Sequence, residues 1–156
     1  MNPKDYLPVH EESRAFALKM CGMTGGPEAG TTEQPLPTER VRWETVTRWA
    51  DRSLRFDHIY ASKVARKKGV LPDLNRLWSI RMGICLDIAS MVTGMLRACG
   101  IDAHMWTGYA RVISQGGRSS GKQAHAWVEA TIDGRTYRYD HEAQGRHVIY
   151  QKMRRY

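Results

Sequence analysis

A cysteine stands where the sequence turns from a loop into a helix, in the stretch RMGICLDIAS at residues 81–90. The first N–H groups of a helix have no intrahelical acceptor, and together with the helix dipole they favour a negative charge. A thiol at this place can therefore become a nucleophilic thiolate, although Asp87 opposes the effect in part. An isolated cysteine is more often a small buried side chain, so Cys85 needs a neighbouring histidine to act as a nucleophile.

A hairpin near the end of the sequence places a histidine beside an aspartate. Asp133 and Gly134 separate two strand-like runs, and an Asp-Gly pair between strands predicts a two-residue turn. Counting outward from that turn puts Trp127 opposite Asp140. His125 shares the face of Trp127 and lies diagonal to Asp140, about 7 Å away at the backbone, which the two side chains can bridge. The sequence therefore predicts a His–Asp pair, which a one-residue slip in register would separate.

The two faces of this hairpin differ in character. On one face Ala126, Val128, Ala130 and Ile132 meet Tyr137 and Tyr139, whereas the other face pairs Glu129 with Arg138 and Thr131 with Thr136. A face that becomes polar toward the turn fits a site at the far end of the hairpin. The alternative is a surface His–Asp pair without chemistry, so the prediction depends on whether Cys85 lies nearby.

The elements that must position these side chains follow from apolar spacing and capping residues. Thr38 is predicted to cap a helix that runs through about residue 55. A second helix is predicted over 84–98, with Gly100 as the residue that ends it. Residues 66–78 are predicted to form a loop because they contain a glycine and a proline. The predicted buried faces of the two helices consist of Val41, Thr45, Val46, Trp49 and Ala50 in the first, and Cys85, Ile88, Ala89, Val92, Met95 and Leu96 in the second.

Three strand-like segments follow, over 102–113, 123–132 and 135–140, with a polar loop at 114–122. Helices followed by antiparallel strands indicate the α+β class. Residues 1–38 are rich in Gly, Pro, Thr and Glu, so they are predicted to form a partly irregular N-terminal extension, with helix only over 11–20. The folded domain is predicted to begin at residue 39 and to run to residue 156.

The composition is that of an ordinary globular chain with 42% hydrophobic and 26% charged residues, long enough for one domain with one core. The formal net charge is +8, but the basic residues are dispersed, with small clusters only at 66–69 and 152–156. The sequence contains no RNA-binding aromatic signature and no zinc-finger spacing. A positive surface compatible with acidic partners is therefore expected, and a nucleic-acid interface is not.

Cysteine and histidine usage argues against a metal or a disulfide framework. The three cysteines have no CxxC spacing and the six histidines are scattered, so neither a metal site nor a cofactor is expected. No apolar run approaches the roughly 18 residues of a membrane span, and the first residues contain no signal-peptide pattern. Localisation stays open: cytoplasmic if the chain is complete, exported if a leader has been removed. The oligomeric state is likewise left open.

The segments GICLDIASMVTGMLRACGIDAHMWTGYA and AHAWVEATIDGRTYRYD resemble the transglutaminase-like superfamily, over about residues 80–141. The shared features are a Gly-x-Cys that opens a helix, a Leu-Arg-x-x-Gly-Ile turn, a His-Ala-Trp strand and a following strand that ends in Asp. The spacings of 40 residues from Cys85 to His125 and 15 from there to Asp140 are within what the family shows. The resemblance implies a papain-like core in which a central helix carrying the cysteine packs against an antiparallel sheet.

The resemblance also implies a Cys–His–Asp triad, with Cys85 as nucleophile, His125 as base and then acid, and Asp140 orienting the imidazole. Such a triad acts on peptide or protein amides through a thioacyl intermediate. The backbone N–H of Cys85 is one expected oxyanion donor, with Trp78 or Asn75 as the second; both of these are equally compatible with simple loop or core roles.

Two aromatic residues, Trp127 and Tyr109, are expected to line the cleft, and Trp127 in particular to shield the pair from water. Bacterial members of the superfamily are mostly described as candidate cysteine proteases, so a cysteine peptidase or amidase is the favoured function. Protein-glutamine transamidation is the alternative within the class, and a catalytically silent binding module is the alternative outside it. The expected partner is a peptide or protein substrate, and the net charge favours an acidic one.

Overall fold

The computed structural model describes residues 7–23, 35–65, 67–143 and 145–156. The helices of this described part are α1 (Glu11–Met20), α2 (Glu39–Ser53), α3 (His58–Val64), α4 (Leu74–Ile80) and α5 (Cys85–Ala98). The strands are β1 (Arg55–Phe56), β2 (Met82–Gly83), β3 (Asp102–Ile113), β4 (Gln123–Ile132), β5 (Arg135–Tyr139) and β6 (His147–Arg155). The fold is α+β, as the sequence predicts.

Helix α5 forms the centre of the core. It packs against α1, α2 and α4 on one side and against β3 and β4 on the other. Because it is covered on both sides, residues outside the predicted apolar stripe, such as Ser90, Met91 and Thr93, are buried as well. A fully buried Leu, Ile or Met contributes about 1.5–3 kcal/mol, so this helix, which begins at Cys85, is held firmly in the core.

The main sheet has four antiparallel strands in the order β5–β4–β3–β6. The hairpin of β4 and β5 has the predicted register, with Ile132 opposite Arg135 and Val128 opposite Tyr139. Asp133 and Gly134 have positive φ angles of 51° and 76°, which a type I′ turn requires at both positions. The chemistry of the turn therefore fixes which side chains of the two strands share a face.

Strand β6 was not predicted. Its residues are mostly exposed and its polar and apolar side chains do not alternate regularly, so the segment lacks the pattern that marks a strand in sequence. It pairs with β3 through a register shift at Thr107 and Gly108. A Cβ atom on Gly108 would lie 2.0 Å from the backbone oxygen of Gln151, so only glycine permits this approach of the two strands.

The predicted loop over 66–78 is wrong in its second half. Asp73 caps α4 by accepting a hydrogen bond from the backbone N–H of Arg76 at 3.0 Å. Pro72 lies just before this cap, outside the helix, so it does not oppose helix formation. In α2, Thr38 is the cap as predicted, but Trp43 is buried where Val41 was expected and Val41 is exposed.

Helix α1 belongs to the same core as α5. Ala17, Cys21 and Met23 are all buried, and α1 contacts both α5 and α2. The helix covers the predicted stretch 11–20, yet its packing means that this part of the predicted extension is structured. Residues 1–6 and 24–34 of that extension lie outside the described residues. Within the described ranges, no helix is long and apolar enough to cross a bilayer.

Candidate active site

Cys85 is the first residue of α5, as predicted. The preceding residue, Ile84, has an extended backbone and a side chain that cannot cap a helix. Asp87 takes over this role, because its carboxylate accepts hydrogen bonds from the backbone N–H groups of Ile84 at 3.0 Å and Asp73 at 2.8 Å. Both oxygens of Asp87 are thus occupied by backbone donors. Burial raises the pKa of this carboxyl, while the two hydrogen bonds oppose the rise.

His125 and Asp140 form the pair that the hairpin register predicts. Nε2 of His125 lies 2.7 Å from Oδ2 of Asp140, and the side chains are only 11% and 4% exposed. Two further donors hold the carboxylate: the hydroxyl of Tyr150 at 2.8 Å and the backbone N–H of Glu142 at 3.1 Å. A carboxylate with three hydrogen bonds is fixed in orientation, and it fixes the imidazole in turn.

The thiol of Cys85 lies next to this pair. Its Sγ atom, a ring nitrogen of His125 and a carboxylate oxygen of Glu142 are all within 4.8 Å of one another. Because Nε2 is bonded to Asp140, Nδ1 is the nitrogen of His125 left to exchange a proton with the thiol. The arrangement can therefore transfer a proton from sulfur to an imidazole whose other nitrogen is bound to a carboxylate.

The electrostatics favour a protonated imidazole. Burial by itself disfavours the charged ring, but hydrogen bonds and charge interactions with Asp140 and Cys85 outweigh it and raise the pKa of His125 to about 10. Burial likewise opposes ionisation of Asp140, yet its bond to His125 leaves the pKa of that carboxyl below its ordinary value. Near pH 7 the pair is accordingly an imidazolium and a carboxylate.

Glu142 differs from its neighbours. Burial raises its pKa, and its Oε1 atom is buried without a hydrogen-bond partner among the described residues. Sequence reasoning missed this residue, because nothing in the spacing of a single glutamate after Asp140 marks it. It also missed Tyr150, whose role could be found only by predicting β6 and its register.

A groove of about 660 Å³ opens at Cys85 and His125. Residues of α3 and the segment that follows it form one wall, among them Ala61 and Val64, and β3 and β4 form the other. Tyr109 lines the groove, as expected. The loop 114–122 contributes no residue to its lining, although Lys122 stacks on the Tyr109 ring at 4.6 Å.

Trp127 does not line this groove, but it lines a smaller pocket that also includes Cys85 and Asp140. Its side chain is fully buried and stacks on the His125 ring at 6.1 Å. Its indole N–H donates to Glu129 at 3.0 Å, and Tyr150 packs on its ring. The buried ring covers one side of the His125 imidazole, and the shielding of the His–Asp pair from water stays a prediction.

Neither expected second oxyanion donor, Trp78 or Asn75, is among the residues that line the groove. Trp78 packs in an aromatic cluster with Phe16 and Trp49, and Arg81 stacks on its ring at 3.7 Å. Asn75 is exposed on α4. Neither residue lines the groove, because α4 directs them toward α1 and α2 or toward solvent rather than toward Cys85.

The fold and this geometry define a class, that of α+β proteins with a cysteine at the start of a central helix and a histidine on a neighbouring strand. The model of the transglutaminase-like superfamily matches residues 30–140. The chain belongs to this superfamily. A comparison with curated proteins gives no match.

Three solved structures share the fold. A candidate protease from Parabacteroides distasonis has a TM-score of 0.56 and 20% identity, over 82% of this chain and 22% of that one. A candidate cysteine protease from Cytophaga hutchinsonii has a TM-score of 0.56 and 15% identity, over 100% and 55% of the chains. The periplasmic domain of TgpA from Pseudomonas aeruginosa, bound to ethylmercury, has a TM-score of 0.55 and 19% identity, over 92% and 50%. This chain spans about half or less of each.

Replacement of Asp140 by Asn is expected to lower the pKa of His125 by more than one unit, because the imidazolium loses its charged partner. In the native protein the folded pKa of about 10 exceeds the unfolded value of 6.5. The protonated ring therefore stabilises the fold fully below about pH 6.5, and this contribution is lost as the pH rises through about 10. Long-range ¹H–¹⁵N NMR spectra of the imidazole against pH measure the change. A His125 titration near 10 in both proteins would contradict it.

Proposed function

We propose that the chain is a thiol-dependent acyl-transfer enzyme that hydrolyses peptide or protein amides through Cys85, His125 and Asp140. The observation that carries the proposal is the juxtaposition of the thiol with an imidazole that a buried aspartate holds at 2.7 Å. Superfamily membership and the fold shared with candidate cysteine proteases support the same class of reaction. The roles that we propose for Cys85, His125 and Asp140 follow from the contacts that each side chain makes.

Since His125 is an imidazolium near pH 7, the proton that Cys85 gives up is already on Nδ1 when the substrate binds. In the acylation step the thiolate attacks the amide carbonyl carbon. The imidazolium then donates this proton to the leaving amine as the C–N bond breaks, which leaves a thioester on sulfur. Asp140 stabilises the imidazolium in its working orientation. The rigid support of Asp140 by Tyr150 keeps this geometry constant during the step.

An oxyanion forms on the substrate carbonyl during this attack. The backbone N–H of Cys85 lies in the first turn of α5, where N–H groups have no intrahelical acceptor, and it is the donor we assign. In the second step His125 takes a proton from water, which attacks the thioester and releases the acid. An amine in place of water would give transamidation.

The groove supports a peptide or protein substrate. Its volume of about 660 Å³ is large enough for several side chains, and its walls contain apolar residues such as Val64 and Phe56 together with backbone of β3. Lys67 adds a positive charge to the lining, and the chain as a whole has a net charge of +8. An acidic peptide is the substrate class that we propose on these grounds.

Incubation with denatured casein, an acidic protein, together with a fluorescent primary amine tests the proposal. We expect new N-termini by mass spectrometry, with amine incorporation as the minor product. Predominant amine incorporation would replace hydrolysis by transamidation. Loss of both signals in Cys85→Ala, but not in Cys21→Ser, is expected because Cys21 is buried in the core. Absence of both in the wild-type protein, with no thioester formed, would favour the silent binding module.

A further inference from the structure

The described residues bring three metal-ligand atoms together at the end of the groove. The sulfur of Cys85, a ring nitrogen of His125 and a carboxylate oxygen of Glu142 lie within 4.8 Å of one another. Thiolate, imidazole and carboxylate are the three ligand types that zinc takes in proteins. The mechanism proposed above uses the first two and leaves Glu142 without a role.

A second observation points to a ligand at Glu142. Its Oε1 atom is buried and has no hydrogen-bond partner among the described residues. A buried polar atom without a partner costs about 1–3 kcal/mol, so such groups are rare outside functional sites. The same carboxyl group provides the oxygen that approaches Cys85 and His125, and a cation between them would satisfy it.

The surroundings of His125 are those of a zinc-bound histidine. Histidines that bind metal usually donate their other ring N–H to a carboxylate, which fixes the ring and raises its basicity. Asp140 occupies this position at 2.7 Å from Nε2. The outer contact that orients the histidine is therefore already formed, and the Tyr150 hydroxyl donates a hydrogen bond to the same oxygen of Asp140.

We infer that Cys85, His125 and Glu142 form a zinc-binding site with three protein ligands, open toward the groove at its fourth position. Tetrahedral zinc with bonds of about 2.0–2.3 Å separates its ligands by roughly 3.3–3.6 Å. The three atoms lie within 4.8 Å of one another, so they must move closer by at most about 1.5 Å when the metal binds. The thiol and the imidazolium each release a proton when the metal binds, with no change of oxidation state.

Bound zinc would hold the sulfur lone pair and the imidazole nitrogen that acylation requires. Zinc is therefore a reversible inhibitor of this site, and that consequence rests on the function proposed above. The binding of zinc at this site does not depend on the proposed function. A protein that binds zinc here but cleaves no peptide would refute the proposed function alone.

Metal titration of the reduced, metal-free full chain tests the inference. Cys21 and Cys99 are a possible competing pair, since their sulfurs are 3.6 Å apart. The double variant Cys21→Ser/Cys99→Ser therefore serves as the background. We expect one zinc per chain in competition with a chromophoric chelator, and a thiolate-to-cobalt charge-transfer band when Co²⁺ replaces zinc. The further change Cys85→Ser should abolish the band.

The decisive comparison in this background is Glu142→Gln against Glu12→Gln, which alters an exposed residue of α1. Loss of a direct ligand should lower zinc affinity at least about 100-fold, since changes in outer contacts alone cost about 10–100-fold. The Glu12 variant should bind like the background. Zinc should also slow alkylation of Cys85 in the background protein, relative to its metal-free form, and much less in Glu142→Gln.

Three results would overturn the inference. Unchanged affinity in Glu142→Gln would mean that the carboxylate is not a ligand. Loss of zinc binding in the double cysteine background would place the metal at Cys21 and Cys99. Failure of the wild-type chain to bind zinc at micromolar concentration would exclude the site altogether. Circular dichroism of each variant ensures that a loss of affinity is not a loss of fold.

Discussion

At pH 7, His125→Ala is expected to slow the alkylation of Cys85 by iodoacetamide by about 100-fold or more. The thiolate is the reacting species, and the adjacent imidazolium is the positive charge that favours it. Because the pKa of His125 is raised to about 10, this charge is present throughout the neutral range. Removal of a positioned proton-transfer group typically costs about 10²–10⁴-fold. Mass spectrometry of timed samples gives the rate for each cysteine separately.

The same experiment contains its own controls. Cys21 and Cys99 are buried in the core, so in the wild-type protein they should react far more slowly than Cys85, which is partly exposed in the groove. His147→Ala, at an exposed histidine outside the groove, should leave all three rates unchanged. Equal rates for the three thiols in the wild-type protein would mean that Cys85 is not activated.

The hairpin shows how much of the site is encoded locally. Two residues with positive φ, Asp133 and Gly134, fix a turn type, and the turn type fixes the register. Once the register is fixed, His125 and Asp140 must share a face, because side chains alternate with a period of two. Local backbone chemistry is thus sufficient to predict the pair, without any tertiary information.

The other parts of the site depend on contacts between distant segments. Tyr150 reaches Asp140 only because β6 adds to the far edge of β3, and this pairing needs Gly108 at the register shift. Neither feature has a local signal, since most of β6 is exposed. Trp78 is expected near the thiol from sequence because it belongs to the segment before the helix that carries Cys85. The cap at Asp73 changes the direction of that segment.

Glu142 illustrates a different limit. Its unusual property is a buried Oε1 atom without a hydrogen-bond partner among the described residues, on a side chain that is otherwise partly exposed. What covers one atom of a charged side chain is set by tertiary packing. From the sequence alone, a glutamate that follows a strand is expected to be exposed to solvent. Sequence reasoning therefore misses Glu142, whereas it finds the buried carboxylate of Asp140 because a local turn fixes the register of its hairpin.

Asp87→Ala is expected to destabilise the fold by about 3 kcal/mol, because it leaves two N–H groups near the buried start of α5 without their acceptor. For a chain of this length that is a fall in Tm of roughly 6–12 °C, measurable by circular dichroism. The carboxylate joins the N–H groups of Ile84 and Asp73, so it fastens the start of α5 to the cap of α4.

A substitution of a second aspartate tests whether the loss of stability comes from the lost hydrogen bonds of Asp87 or only from the loss of a negative charge. Asp133→Asn removes a carboxylate at an exposed turn residue whose positive φ asparagine tolerates, so we expect a change within about 0.5 kcal/mol. Asp87→Asn should lie between the two, since an amide keeps one acceptor but turns a donor toward the second N–H. An Asp87→Ala protein that melts within 2 °C of the wild type would show that Cys85 is positioned by the packing of α5 alone. The main role of Asp87 would then be the one predicted from the sequence, a negative charge that opposes formation of the thiolate at Cys85.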